Sequence, residues 1–522
     1  MTNELTVFQV LDRSYHLFPN KEAVYDGKKR ITYSELKEQV DQLATALKQH
    51  GIQKGDKIIV CVPGWMEFVV IYFSLAKLGA IMIPANTRYR SEELEYIVKN
   101  SKAKAAFVIE EFNHLHLLQP FISDENESLQ QIFTVRFHKT GFNSFGQLLA
   151  IGKQQSAVEE IITPQDDVFA ILYTSGTTGK PKGAMLTHRN FVSVAIMVAE
   201  WLRCNSEDVF LVPVPVFHIF GMVPSILSAV VAGSKLVLME SYKPENALHL
   251  IETERVTVHH GVPTMFILEL NHQALKETNL STLRTGIIAA APCPEEVIKA
   301  IRKDMGCEVI VAYGATETSS AVTFTSFDDP DDLRAQTVGT VAPEVEIKII
   351  NEQGNTLGAN EVGEIVCKGP GIMKGYYEMQ EQTLEALDQE GWYRTGDLGT
   401  IDENGYIRII GRKKEMIIRG GYNIYPREIE ELLYKHPSVL EAAIVGLPDT
   451  VLGEVSCAAL KLKQRCQENE ESIKLYLQNR VANYKIPDHI VFLNEFPITS
   501  SGKIKKIELQ TQLKNYLKTA LR

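Results

Sequence analysis

Paired cysteines, an excess of positive charge and long apolar runs are all missing from this sequence, and each absence removes a class of protein. The seven cysteines (Cys61, Cys204, Cys293, Cys307, Cys367, Cys457 and Cys466) are odd in number, widely scattered and without any Cys-x-x-Cys spacing. A disulfide framework and a structural zinc site are both unexpected, and a reducing compartment fits. Asp and Glu number 65 against 54 Lys and Arg, a net charge of −11, which argues against nucleic acid as a main partner. The most apolar windows, Phe68 to Pro84 and Val223 to Met239, are interrupted by Lys77 and Lys235 and are too short for a transmembrane segment. Met1 to Val10 lacks the basic start and apolar stretch of a signal peptide. No basic amphipathic helix stands out for a membrane surface. The expected location is cytoplasmic.

What is present is an ordinary globular composition, 45% hydrophobic and 23% charged over 522 residues. That length has room for roughly two to four domains. Apolar strand-like runs alternate with helical stretches along most of the chain. Lys57 to Val62, Ala80 to Ile83 and Ala105 to Ile109 read as strands, with helices at Glu67 to Leu78 and Ser91 to Asn100. The texture returns at Phe210 to Val216, Lys235 to Met239, Val256 to Gly261, Thr285 to Ala289 and Glu308 to Ala312. Such alternation predicts an α/β fold with largely parallel sheets. From about Gly339 the pattern changes to short β segments with turns at Asn351 to Gly354, Gly391-Trp392 and Asp402 to Gly405. Pro426 opens a helix to His436, where a missing N–H costs nothing. Glu468 to Ser472 is an acidic patch expected at a solvated loop or helix start. The expected organisation is a large domain over 1–411, of layered α/β subdomains plus a β-rich one. A small mobile α+β domain over 412–522 follows, hinged near Lys414.

The most informative stretch is Tyr173-Thr-Ser-Gly-Thr-Thr-Gly-Lys-Pro-Lys-Gly183. It follows the apolar run Val168 to Leu172 and is too flexible and polar to build a core. Glycines let backbone N–H groups approach a ligand, and hydroxyls and lysines add donors, so the loop suits a polyphosphate. It is not the Walker pattern, because Pro181 stands where Ser or Thr is needed and Thr174 where the first Gly belongs. Taken alone, a loose Gly/Thr-rich turn remains an equal reading.

Its company decides. Downstream come Tyr313-Gly-Ala-Thr-Glu317, Tyr393-Arg-Thr-Gly-Asp397, Gly411-Arg412 with Lys414, Gly421-Tyr-Asn-Ile-Tyr-Pro426 and Ser501-Gly-Lys503. This ordered series resembles the adenylate-forming superfamily of acyl-CoA synthetases, peptide-synthetase adenylation domains and beetle luciferases. The likeness runs from about Ile31 to Lys503 and is nearest to medium- and long-chain fatty acyl-CoA synthetases. It implies an acid–thiol ligase using ATP, Mg²⁺ and CoA, with acyl-adenylate as intermediate.

By that resemblance Thr174, Ser175, Gly176, Thr177, Thr178, Gly179 and Lys182 grip the β- and γ-phosphates, and Glu317 with Thr174 holds Mg²⁺. Departing pyrophosphate needs such a cluster of donors and a metal. Thr316 meets the α-phosphate, Tyr313 and Gly314 lie along the adenine with Ala291 and Pro292, and Asp397 with Arg412 takes the ribose. Lys503 is the expected catalytic lysine, bridging carboxylate and phosphate during adenylation; by itself it would pass for surface. Lys414 matches the hinge, and Gly420, Gly421 and Tyr422 the pantetheine tunnel of CoA. Glu415 stands where Asp is commoner.

Phe217-His-Ile-Phe-Gly221 resembles the aromatic-His segment of fatty acyl and aryl acyl ligases. The acyl pocket is expected from His218, Val262, Phe266, Ile288 and Ala289, an apolar wall that would not pay for a buried ammonium. His218 also fits as a satisfied core histidine. The family commonly has Gly-Gly-Ala or Ser-Gly-Ala before the proline; here it is Ala289-Ala290-Ala291-Pro292, which leaves chain length open. A carrier-protein acceptor, an aryl acid, a luciferase-like oxygenation and a homodimer stay open too. A non-catalytic acyl or nucleotide sensor is opposed by intact Lys503, Glu317 and Asp397. No insertion of the fatty acyl-AMP ligase kind interrupts Val338 to Lys414.

Overall fold

A computed structural model describes residues 4–122, 129–174, 181–463, 466–478, 480–498 and 504–520. The expected alternation is realised as two large sheets. Val, Ile and Leu runs of four to seven residues, too apolar for a one-faced strand, supply the inner strands of both. In the seven-stranded sheet, Gln131–Thr134, Ala105–Val108, Lys57–Cys61, Ile81–Pro84 and Val168–Thr174 run parallel in that order. Lys182–Thr187 and then Gly375–Tyr376 add antiparallel strands at the far edge. In the nine-stranded sheet, Glu308–Tyr313, Thr285–Ile288, Val258–His259, Val209–Val212, Lys235–Leu238 and Glu22–Tyr25 are parallel neighbours, with short antiparallel strands beyond each end.

One apolar cluster runs through both sheets and the helices Met66–Leu78 and His188–Trp201. All thirteen residues of Met66–Leu78 are buried, as an all-round apolar helix requires. Its Lys77 is tolerated there because its ammonium reaches Asp41 at 2.6 Å. The window Val223 to Met239 becomes the end of a helix and the strand Lys235–Leu238. No helix among the described residues is long and apolar enough to cross a membrane.

The β-rich stretch is a four-stranded antiparallel sheet of Glu346–Ile350, Gly363–Lys368, Tyr393–Ile401 and Ile407–Arg412. The turns at Asn351, Gly391 and Asp402 form as expected; Gly354, Gly391 and Gly405 all have φ above +80°. Beyond it lies the last sheet, Tyr422–Ile424, Ile417–Arg419, Gly453–Leu462 and Val439–Asp449, with His489–Phe492 parallel to Gly453–Leu462. Pro426 is the first residue of the helix Pro426–Tyr434, which packs its Ile429 and Leu433 into this unit. Glu470 and Glu471 open the helix Glu470–Gln478, where negative charge favours the N-terminus.

Two buried histidines tie distant elements. His188 Nδ1 accepts the N–H of Val7, an otherwise unpaired donor at a helix start (3.3 Å). His260 Nδ1 accepts from Ile287 N–H (3.0 Å), so Nε2 carries the proton and donates to the Pro224 carbonyl (3.1 Å). Burial pulls His188 down to about 4 and His260 to about 3. The unfolded chain takes these protons near pH 6.5, whereas the folded one refuses them until far lower. Stability is therefore complete above pH 6.5 and drains as pH falls, by about 1.4 kcal/mol per pH unit for each histidine. Unfolding midpoints measured from pH 7.5 to 5 should fall, and His188→Asn should flatten the curve by one proton; an unchanged slope would refute this.

Candidate active site

Three sheets converge on one site. Strand Val168–Thr174 pairs antiparallel with Lys182–Thr187 and brings Thr174 opposite Lys182. Ser175, Gly176, Thr177, Thr178 and Gly179 lie outside the described residues, as does Lys503. Lys182, expected in the loop, opens the second strand instead; Pro181 and Gly183 on either side obscure that start in the sequence. Its ammonium stands 5.0 Å from the centre of the Tyr376 ring, within cation–π range. Thr174 Oγ1 reaches the Lys182 carbonyl at 3.4 Å.

The segment around Gly375–Tyr376 stitches this strand to the next motif. Tyr377 N–H donates to Gly183 O (2.8 Å), Lys374 N–H to Met185 O (2.9 Å) and Met373 N–H to Glu317 O (2.8 Å). The Asn190 amide holds the carbonyls of Pro370 and Ile372 at 2.7 and 2.9 Å. Strand Glu308–Tyr313 of the nine-stranded sheet delivers Tyr313, Gly314 and the single turn Thr316–Thr318. Gly314 is enforced by space: a Cβ there would lie 2.0 Å from the Ser320 carbonyl oxygen. Glu317 Oε1 accepts from the Tyr376 hydroxyl at 2.9 Å. Burial first, then the Glu317 charge, raises the phenols of Tyr376 and Tyr393 well above their ordinary range.

Asp397 comes from the four-stranded sheet. Its Oδ2 accepts from the Tyr313 hydroxyl (2.7 Å), and its Oδ1 forms an ion pair with Arg412 Nε (3.1 Å), the residue directly across the ladder. A carboxylate has about four acceptor positions, so capacity is left for two more donors. Burial opposes the Arg412 charge, but Asp397, Glu415, Tyr313 and Glu317 together raise its pKa. Lys414 is shifted down, first by burial and then by Arg412, with Lys182 adding to the repulsion. Thus the phosphate strand, the Thr316–Glu317 turn, Asp397 and the stretch after Arg412 share one electrostatic neighbourhood. Lys413–Glu415 is a single turn between the four-stranded sheet and the last one.

Of the expected pocket residues, Phe266 and Ile288 are fully buried, while His218, Val262 and Ala289 are half-buried. Val262 caps the helix Pro263–Leu270, and Phe266 fills the space that a Cβ on Gly261 would need. After His218 the helix widens into π turns over Gly221–Leu227, with Pro224 inside and His260 on its carbonyl. Such widenings are rare and frequent at functional sites.

Ala290, Ala291 and Pro292 are exposed, and Ala290 has φ +72°. The methyl at this departure therefore acts on the backbone, in a region where it costs about 1–2 kcal/mol. Against the looser unfolded chain of glycine, Ala290→Gly should gain about 0.5–1 kcal/mol, read as a higher urea midpoint. A lower midpoint would mean the methyl is packed.

Gly420 and Gly421 form the two-residue turn between Ile417–Arg419 and Tyr422–Ile424, with φ of +55° and +87°. Paired positive φ in a hairpin turn demands such residues on its own account. Tyr422 is exposed and stacks on Tyr484 with ring centres 4.7 Å apart. Sequence reading missed Tyr376 altogether and gave Tyr393 no role. The only local signal was Gly375-Tyr376-Tyr377 following a β run, which says nothing of Glu317.

The chain matches the model of the AMP-binding enzyme family over residues 11–377 and that of the AMP-binding enzyme C-terminal domain over 428–503. It is 38% identical to YngI of Bacillus subtilis, provisionally named an acyl-CoA synthetase, covering 97% of this chain and 96% of that one. It is 36% identical to the medium-chain fatty-acid–CoA ligase of Escherichia coli, covering 95% and 88%. Among solved structures, the anthranilate–CoA ligase AuaEII with anthranoyl-AMP superposes with a TM-score of 0.90 at 26% identity, over 99% of both chains. With one site assembled from the ordered motifs and both family models matched in sequence, this chain belongs to the AMP-binding, adenylate-forming enzymes.

Proposed function

We propose that this protein is an AMP-forming acid–thiol ligase that activates a medium- or long-chain fatty acid and passes it to CoA. The observation that carries the reading is the Asp397 carboxylate held between Tyr313 and Arg412, in the same neighbourhood as Glu317 and Lys182. It offers an anionic acceptor for ribose hydroxyls at one end and a cation with a carboxylate for a metal–polyphosphate at the other. Relatives named for medium-chain acyl-CoA ligation support the choice of acid.

The chemistry follows from the acid. A carboxylate is a poor electrophile because it is negative and lacks a leaving group. Its oxygen attacks the α-phosphorus of ATP, the bond to pyrophosphate breaks, and acyl-AMP forms. The thiol sulfur of CoA then adds to the acyl carbon, the bond from that carbon to the phosphate oxygen of AMP breaks, AMP leaves, and the thiol proton passes to solvent. Thr174, Lys182 and residues 175–179 bind the outgoing pyrophosphate, and Thr316 the α-phosphate. Asp397 and Arg412 orient the ribose, with Tyr313, Gly314, Ala291 and Pro292 along the adenine.

Glu317 suits Mg²⁺: it is a hard oxygen donor with one oxygen occupied by Tyr376, and Mg²⁺ takes one or two carboxylates plus phosphate oxygens and water. Bound there, the ion neutralises phosphate charge. His218, Val262, Phe266, Ile288 and Ala289 form the acyl wall, and Gly420 to Tyr422 the route of pantetheine. The small domain over 412–522 turns about Lys414 between the two steps.

The test is AMP release with ATP and Mg²⁺, with and without CoA, over acids from acetate to palmitate, with benzoate, coumarate and amino acids. CoA-dependent release peaking among the fatty acids is expected. A peak on aryl acids, or adenylation indifferent to CoA, would overturn the acid or the acceptor respectively, and silence across the panel the whole reading.

A further inference from the structure

Glu317 sits on one turn of 3₁₀ helix, followed by Ser319 and Ser320 at φ +56° and +108°. The backbone is thereby fixed, but a glutamate has three side-chain torsions and a half-buried position does not fix them. One hydrogen bond to the carboxylate is therefore decisive, and it is the 2.9 Å donation from Tyr376 to Oε1. Tyr376 is itself held. It is 7% exposed and its strand pairs with Ala184. The same ring lies beneath the Lys182 ammonium.

We infer that Tyr376 is the positioning residue that turns Glu317 toward the nucleotide's divalent cation and sets its distance from Lys182. The inference rests on Glu317 as the metal ligand of the proposed function. Tyr376 touches neither substrate nor metal. It occupies one carboxylate oxygen so that the other faces the cation. Partners behind a metal ligand matter by roughly 10- to 100-fold in metal affinity.

The test uses Mn²⁺ as the probe, titrated into full-length protein saturated with a non-hydrolysable ATP analogue, with free Mn²⁺ read by electron paramagnetic resonance. Tyr376→Phe should weaken Mn²⁺ roughly 10- to 100-fold. If Tyr376 acts through Glu317, then Tyr376→Phe added to Glu317→Gln should cost nothing further. Full additivity in the double variant, or unchanged Mn²⁺ affinity in Tyr376→Phe, would overturn the inference. If Tyr376→Phe does not fold, Tyr376→Met, an adaptable apolar filler without the hydroxyl, decides, and unchanged affinity there overturns it. Unchanged Mn²⁺ affinity in Glu317→Gln would instead overturn the metal ligand itself.

Discussion

Replacing Lys503 by alanine is expected to lower acyl-adenylate formation by roughly 10²- to 10³-fold, the usual effect of removing one preorganised electrostatic donor. Thioester formation from supplied acyl-AMP should be nearly unchanged. The split follows from charge. In the first step a carboxylate approaches a phosphate that is also negative, and a cation between them lowers the barrier. In the second step a thiol adds to a carbonyl already activated by AMP, so that cation has no pair of anions to bridge.

The structure brackets this lysine closely. Ile498 bridges Ile504, and Lys505 N–H donates to Pro497 O at 2.8 Å, so the described chain on either side forms the neck of a short loop. Leu509 and Leu513 anchor the helix that follows. Lys506 is paired with Glu415 and Glu430 at 2.9 and 2.8 Å. Quenched half-reactions with radiolabelled ATP would measure the first step, and thioester release from synthetic acyl-AMP the second. Equal loss in both would mean that Lys503 serves the fold or both steps, and the assignment would fail.

Legibility in the sequence followed the range of the interaction. Lys57 to Val62 and Ala105 to Ile109 were readable because a run of apolar residues flanked by turns is a local property. So was Pro426 as a helix start. Sheet order was not readable, since Lys235–Leu238 pairs with Glu22–Tyr25, a strand from the start of the chain. Tyr376 and Glu317 are 59 residues apart, and Tyr313 and Asp397 84, so no local pattern reports either bond. The motif series placed Tyr313, Glu317 and Asp397 in one site, but the tyrosine that orients Glu317 carries no polar pattern of its own. Ala290 shows the converse. A glycine there would have signalled positive φ, whereas an alanine in the same conformation is silent. The π turns over Gly221–Leu227 were hidden too, because Pro224 in an apolar run reads as a break.

Asp397→Asn is the second large effect, and its physics is visible in the geometry. Asn keeps the shape but offers one acceptor oxygen and one NH₂ donor. If its NH₂ turns to the Tyr313 side it meets a hydroxyl that donates in the wild type, and if it turns to the other side it meets the Arg412 cation. Arg412 also loses the anion that does most to hold its charge against burial. The expected result is an ATP KM raised by roughly 10- to 100-fold, the price of losing charge-assisted bonds of about 1.5–3 kcal/mol. ATP analogues lacking a ribose hydroxyl give the sharper readout. The wild type should discriminate against 2′-deoxy- and 3′-deoxy-ATP, because each leaves a carboxylate acceptor unfilled. Asp397→Asn should lose most of that discrimination, since the acceptors are already gone. A variant that weakens ATP and both deoxy analogues by the same factor would show that Asp397 supports Tyr313 and Arg412 but does not meet the ribose. The site would then keep its architecture while the nucleotide's sugar would have to be held by other residues.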